Sequence, residues 1–339
     1  MYLYDDFDQR IINERVAQFK DQMTRYLDGK IPEEEFLPLR LQNGIYIQRY
    51  APMLRIAVPY GMLRSEQLRK LAEVAREHDR GYAHVSTRQN FQFNWPKLEE
   101  CPDILGKLAQ VQMHAVQTSG NCIRNTTTDE YAGVVAEELV DPRPYCEIIR
   151  QWSTFHPEFA FLPRKFKIAF SGCQSDCALT PIHDVGLLAA RNDQGTIGFK
   201  MVVGGGLGST PRVAKLLREF VPIDELMPSI EACIKVFDNL GNRKNRSKAR
   251  MKFVIDKLGF EEFTRQWQEA YDTLLKSDAT RPTLPILPYQ DEAPLIMPTK
   301  SGNGTSSNGN GTGNGSNGSS RAPSSFDVWK KTNVIAQRQ

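Results

Sequence analysis

Residues 40–61 read RLQNGIYIQRYAPMLRIAVPYG. Apolar and polar side chains alternate along this stretch, as they do along strands with one face buried. Residues 65–79, SEQLRKLAEVAREHD, follow with helical period and with Ser65 as the expected N-cap. YAHVSTRQNFQFNW (82–95) returns to strand character, and KLEECPDILGKLAQ (97–110) reads as a second helix. The result is a β-α-β-α unit of about sixty-five residues, suggestive of half a ferredoxin-like sandwich.

On its N-terminal side, residues 1–40 are polar and helix-prone, with Ile11, Ile12, Val16 and Phe19 giving a weak apolar face, and predict a helical arm or cap. On its C-terminal side, residues 111–285 form a second α/β region. KFKIAFSG (165–172), DVGLLAAR (184–191) and GFKMVVGGGLG (198–208) read as strands. TPRVAKLLREFV (210–221), IEACIKVFDNLGN (230–242) and GFEEFTRQWQEAYDTLL (259–275) read as helices. The fold class expected is therefore mixed, α+β, with the half-domain at 41–110 preceding the α/β domain.

Residues 286–324, rich first in Pro and then in Gly, Asn and Ser, have little to bury and predict a flexible linker. NVIAQRQ (333–339) repeats the Asn, the apolar alternation and the Gln-Arg pair of NGIYIQRY (43–50). Residues 325–339 are thus read as the truncated start of a second repeat of the first module.

Composition sets the bounds. The chain has 339 residues and 40% hydrophobic content, enough for about two domains. Lys and Arg number 43 against 40 Asp and Glu, a net charge of +3, so nucleic acid is not an expected partner. No run of apolar residues is long enough to predict a membrane span, and MYLYDDFDQR lacks a secretory pattern, so a soluble, cytoplasmic protein is expected. Six cysteines, at 101, 122, 146, 173, 177 and 233, are too few for a disulfide scaffold and predict reduced thiols or metal ligands.

Several segments place cations in strands or turns: Arg55, Arg88, Arg124, the trio Arg164, Lys165 and Lys167, and Arg250. In RKFKIAF the period of two puts Lys165 and Lys167 on one face and Phe166 and Ile168 on the other. Arg55, between Leu54 and Ile56, calls for a partner carboxylate or a bound anion. Taken singly, each of these residues could equally be a solvated edge or half of an internal salt bridge. Together they suggest an anion site.

RLQNGIYIQRYAPMLRIAVPYG, TRQNFQF, NCIRN, LPRKFK and MVVGGGLG stand in an order and at a spacing that resembles the ferredoxin-type nitrite and sulfite reductase haemoprotein family. The resemblance covers roughly residues 40–280 and corresponds to the N-terminal half, the first copy of a pseudo-two-fold repeat. It implies a sirohaem enzyme coupled to a [4Fe-4S] cluster, reducing nitrite to ammonia or sulfite to sulfide with six electrons from ferredoxin. By motif position, Arg55, Arg124, Lys165 and Lys167 look like the cations around the substrate anion. Arg88, Arg164 and Arg250 look like partners of the macrocycle's carboxylates. Gly204, Gly205 and Gly206 would allow close backbone approach to the flat ring. Where the family often carries another arginine, this chain has His84.

The resemblance also implies cluster ligands in C-x5-C and C-x3-C pairs, both in the second copy. In the first copy Cys122 is followed six residues later by Thr128, whereas Cys173 and Cys177 keep the x3 spacing. A [4Fe-4S] cluster ordinarily takes four thiolates. Cys122, Cys173 and Cys177 are therefore read as the remnant of a metal site, and the chain alone as inactive without its missing C-terminal half. The alternatives are a catalytically dead protein of this fold that binds an anion or a tetrapyrrole, and a three-cysteine cluster protein.

Overall fold

The computed structural model describes residues 3–154 and 156–277. The alternation at 45–56 becomes a hairpin: β1 (Ile45–Ile47) pairs antiparallel with β2 (Pro52–Ile56), Ile45 opposite Leu54. The other edge of β2 takes β4 (Phe91–Phe93), which in turn pairs with the two-residue β3 (His84–Val85), for a strand order β1-β2-β4-β3. Helix α3 (Ser65–His78) connects β2 to β3, and α4 (Cys101–Ala109) follows β4. Ser65 is the first helical residue rather than the cap. Arg64 occupies the cap position, its N–H donating to Gln67 Oε1 at 3.0 Å.

The N-terminal stretch forms α1 (Asp6–Leu27) and α2 (Glu33–Gln42). It caps the first sheet rather than standing free. Phe19, Met23 and Phe36, none more than 2% exposed, join Ile45, Leu54, Leu71, Phe93 and Ile104 in one apolar core. Burying side chains of this size yields about 1.5–3 kcal/mol each, enough to fix the helices on the sheet.

The second sheet has the order β5-β6-β7-β8. Strand β5 (Ile168–Ser171) runs parallel to β6 (Val185–Arg191), while β6 with β7 (Ile197–Val203) and β7 with β8 (Lys215–Pro222) are antiparallel. Helices α5 (Arg143–Ser153), α6 (Leu226–Leu240), α7 (Met251–Leu258) and α8 (Phe260–Leu275) complete a separate core around Phe166, Phe170, Phe199, Phe237 and Trp267. The mixed α+β class is as expected.

One element is not. TPRVAKLLREFV was expected to be helical, and residues 215–222 are instead the edge strand β8. Val213, Leu216 and Leu217 mimic helical spacing, but β7 has one open edge whose N–H and C=O groups need partners. Gly198 removes the obstacle to pairing: a Cβ there would lie 2.5 Å from the Phe220 ring and from Val221 O. Helix α5, which opens on Arg143-Pro144 in the manner of a proline at N1, had not been singled out in the sequence. The linker at 286–324, the repeat start at 325–339 and residues 278–285 of the second domain lie outside the described residues. Among the described residues, no helix is long and apolar enough to cross a membrane.

Candidate functional site

The segment after Asn121 runs beside the stretch that carries the lysines, which leads into β5. Ile123 bridges Phe166 and Thr127 bridges Ala169, both parallel, and Arg124 N donates to Phe166 O at 2.8 Å. Backbone pairing thus brings Arg124 next to Lys165 and Lys167. The expected period holds: Phe166 and Ile168 are fully buried, whereas Lys165 and Lys167 are partly open.

Most of the guanidinium groups are held by neutral acceptors. Arg55 donates through Nε (3.1 Å) and Nη2 (2.9 Å) to the amide oxygen of Gln92, directly across the β2–β4 pair. The partner foreseen for Arg55 was a carboxylate or an anion, and the structure supplies a neutral amide. Arg124 donates to Thr118 O and Gly120 O, each at 2.7 Å, and to the Tyr46 hydroxyl at 3.4 Å. Arg88 donates to Asn125 O (2.7 Å) and Ile168 O (3.2 Å), and Arg164 to Asn121 Oδ1 (3.4 Å). Arg250 alone of the expected set takes a carboxylate: Asp184, fully buried, accepts from its Nε at 3.2 Å and its Nη2 at 2.7 Å. Asp184 also accepts from Lys167 N at 2.9 Å.

The expected cations act on one another. Arg124 lowers the pKa of Arg55, Arg88, Arg164 and Lys165, and Arg250 lowers those of Arg88, Arg164, Lys165 and Lys167. Burial, then Arg124, Arg250 and Arg164, bring Lys165 down to about 8. Burial, then Arg88, Arg250 and Lys165, bring Lys167 to about 7. Burial brings Arg88 to about 9. Neither lysine ammonium has a hydrogen-bond or ion-pair partner among the described residues. The Arg124 Nε and Arg88 Nη1 atoms are buried and unpartnered as well. His183, beside Arg88 and Lys167, is held down to about 3, chiefly by burial, so it stays neutral.

Beside this cluster lies a cavity of about 820 Å³. Its cations are Arg15, Arg40, Arg124, Arg164, Lys165 and Arg246, no carboxylate lines it among the described residues, and Tyr46, Val116, Phe159 and Phe161 supply ring and aliphatic wall. Arg55, Arg88, Lys167 and Arg250 do not line the cavity; charge couples them to those that do. His84 is exposed on the edge strand, opposite Gln92, and its side chain joins neither the cavity nor an ion pair among the described residues. Gly204 and Gly205 are crowded by the chain itself: a Cβ would lie 2.5 Å from Ile255 Cδ1 at the former and 2.2 Å from Pro181 O at the latter. At Gly206 the near atom is Arg250 Nη2, at 3.1 Å.

The cysteines divide. Cys122 lines the cavity, its thiol 3.2 Å from Ser119 O and raised in pKa by burial. Cys173 and Cys177 share the loop after β5, where the Cys177 thiol helps raise the pKa of Cys173. At the fourth template position the Thr128 hydroxyl turns to Asp129 Oδ2 at 3.4 Å. Among the described residues, which include all six cysteines, no group of three or more His, Cys, Asp or Glu could hold a metal.

Sequence reasoning missed Asp184, Gln92 and Tyr46. Asp184 did carry a signal, a charge heading the apolar strand DVGLLAAR. Tyr46 reaches Arg124 by its hydroxyl and sits with its ring 5.4 Å from the Arg55 guanidinium carbon.

Comparison with known proteins finds two matching domains. Residues 47–111 match the nitrite/sulfite reductase ferredoxin-like half domain, and residues 119–274 the nitrite and sulphite reductase 4Fe-4S domain. The chain is 36% identical over 249 residues to a chloroplastic ferredoxin–nitrite reductase of Arabidopsis thaliana, covering 70% of this chain and 42% of that one. It is 33% identical over 219 residues to a ferredoxin sulfite reductase of Mycolicibacterium paratuberculosis, covering 65% and 39%. The NirA protein of Mycobacterium tuberculosis superposes with a TM-score of 0.65 at 29% identity, over 73% of this chain and 47% of that one. The chain spans less than half the length of these curated relatives. Both domain types occur in consecutive order, and the chain belongs to the nitrite and sulfite reductase haemoprotein family.

Proposed function

We propose that this chain supplies the oxyanion- and macrocycle-facing cationic surface of a ferredoxin-dependent nitrite or sulfite reductase. The carrying observation is the excess of positive charge. Arg55, Arg88, Arg124, Arg164, Lys165, Lys167 and Arg250 are electrostatically coupled, and Asp184 is the carboxylate that Arg88, Lys165, Lys167 and Arg250 share. Buried charge of one sign is costly unless an anion balances it.

The residues present fit a flat polycarboxylate such as sirohaem. The cavity wall is apolar with a cationic border free of carboxylates among the described residues, and the Arg124 Nε has no other partner there. Arg124, Arg164 and Lys165 would hold its carboxylates or the substrate, and the bound group would supply the iron at which electrons reach the oxyanion. The chain's own residues do the rest. Arg55 and Arg124, fixed by neutral acceptors, keep their full charge for the anion. Lys165, on the cavity wall and near 8, can hold a proton at Nζ or yield it close to neutral pH, as N–O or S–O cleavage requires.

The residues do not fit a [4Fe-4S] cluster. The thiols are not gathered, and Thr128 faces an aspartate. The cluster's four thiolates are therefore assigned to a second half outside this chain, and the six-electron reduction to the two together. Six unpaired cysteines suit a reducing, cytoplasmic setting.

The test is expression with iron and sirohaem. Sirohaem binding that weakens at least tenfold in Arg124→Ala, without a stoichiometric cluster spectrum and without nitrite or sulfite reduction, is the expected result. Reduction of either anion by the chain alone, or sirohaem binding indifferent to Arg124, overturns the proposal.

A further inference from the structure

The loop after β5 holds a feature that the proposed reductase role does not use. The Ser171 hydroxyl donates to Cys173 O at 3.4 Å and accepts from Cys177 N at 3.3 Å, folding the intervening residues back on themselves. The Cys177 thiol rests 3.1 Å from Ser175 O on the exposed side of the loop, near enough to Cys173 to raise its pKa. The ends of this loop differ in freedom. Cys173 is 1% exposed and bridges Glu138, and its neighbour Gly172 is packed so tightly that a Cβ would stand 2.4 Å from Val140 O. Gln174, Ser175 and Cys177 are exposed. One thiol is fixed and the other can move to it, which is the displacement needed to bring two nearby thiols to a bond of about 2.05 Å.

We infer that Cys173 and Cys177 are a redox modification site, closing to a reversible disulfide by exchange with a low-molecular-weight disulfide such as oxidised glutathione. Exposed Cys177 loses its proton and attacks one sulfur of the reagent; that S–S bond breaks and the first thiolate leaves. Cys173 then loses its proton and attacks Cys177 Sγ, breaking the mixed disulfide and releasing the second thiolate. The two released thiolates take up the two protons, so the protein dithiol is oxidised by two electrons and the reagent is reduced to two thiols.

Ring closure is the slow step. Burial first, then the Cys177 charge and hydrogen bond, push the Cys173 thiol up to about 12. Capping Cys177 removes the Cys177 contributions and leaves burial together with the Asp129 and Glu138 charges. The rate of closure therefore follows the Cys173 thiolate fraction and rises about tenfold per pH unit between about pH 7 and 9.

The experiment treats the full chain with oxidised glutathione over that pH range, quenches in acid, alkylates, and measures intact mass and peptide linkage. An adduct at Cys177 is expected first. A species about 2 Da lighter than the reduced protein then follows, with Cys173 joined to Cys177, the other cysteines alkylated, and full reversal by dithiothreitol. Cys173→Ser should stop at the adduct. No adduct at Cys177, an adduct that never closes in the unsubstituted chain, or a link to a different cysteine overturns the inference.

Discussion

If Lys165 faces an oxyanion bound in the cavity, binding should take up protons. The perturbation is a nitrite titration of the chain at fixed pH, nitrite itself remaining ionised from pH 6 to 9. Without an anion Lys167 titrates near about 7 and Lys165 near about 8. At pH 8 that leaves roughly one tenth of Lys167 and half of Lys165 protonated. An anion about 4 Å away at an effective dielectric of about 20 interacts by about 4 kcal/mol, or roughly three pKa units. That returns Lys165 to near its ordinary value. Uptake at pH 8 is then about half a proton, and close to zero at pH 6, where Lys165 is already charged. Affinity should fall about tenfold between pH 7 and 9. The anion-free chain shows the mirror image: both folded pKa values lie below the unfolded one, so the unfolded chain binds more protons between about pH 7 and 10, and stability from these lysines rises with pH across that window. Calorimetry in two buffers of different ionisation heat counts the protons. An observed heat independent of buffer at pH 8, with affinity flat from pH 6 to 9, refutes the reasoning.

Other perturbations test separate parts of the same arrangement. Asp184→Asn leaves Arg250 buried without its carboxylate and should cost about 3–5 kcal/mol in urea unfolding; a loss under about 1 kcal/mol would mean that Arg250 finds water. Gln92→Glu gives Arg55 an anionic partner in place of a neutral one and should weaken nitrite binding at least tenfold while the fold persists; equal binding would show that the Arg55 charge does not reach the anion. Gly198→Ala places a methyl against Phe220 and Val221 O and should cost about 1–3 kcal/mol with selective loss of amide protection at 215–222. Unchanged protection would contradict the edge strand.

What could be read from the letters follows from which interactions leave a local trace. Strand character at 45–56 was legible because the alternation lies within twelve residues, and the lysine pair because Phe166 and Ile168 must face the core; that the stretch folds into two strands, β1 and β2, was not read. Strand β8 was not, because its conformation is decided by the open edge of β7, and nothing between Lys215 and Pro222 reports that edge. The cations themselves stood out by residue type, but their holders did not. The acceptors for Arg124 and Arg88 are the carbonyls of Thr118, Gly120, Asn125 and Ile168, groups every residue carries. Gln92, Asp184, Tyr46 and Asn121 are holders that act through side chains, the kind of group pattern reading could have found.

That distinction bears on how the site works. A chain whose net charge is only +3 gives no sign of an anion site, because carboxylates elsewhere offset the cluster in the total. The cluster keeps its charge because four of its guanidinium groups, those of Arg55, Arg88, Arg124 and Arg164, are positioned by amides and peptide carbonyls. Such acceptors orient a donor without cancelling its field. A carboxylate in each of these places would make the fold more stable and the pocket indifferent to an oxyanion. Holding cations by dipoles leaves them stabilised in position but unbalanced in charge, and the bound anion supplies the balance.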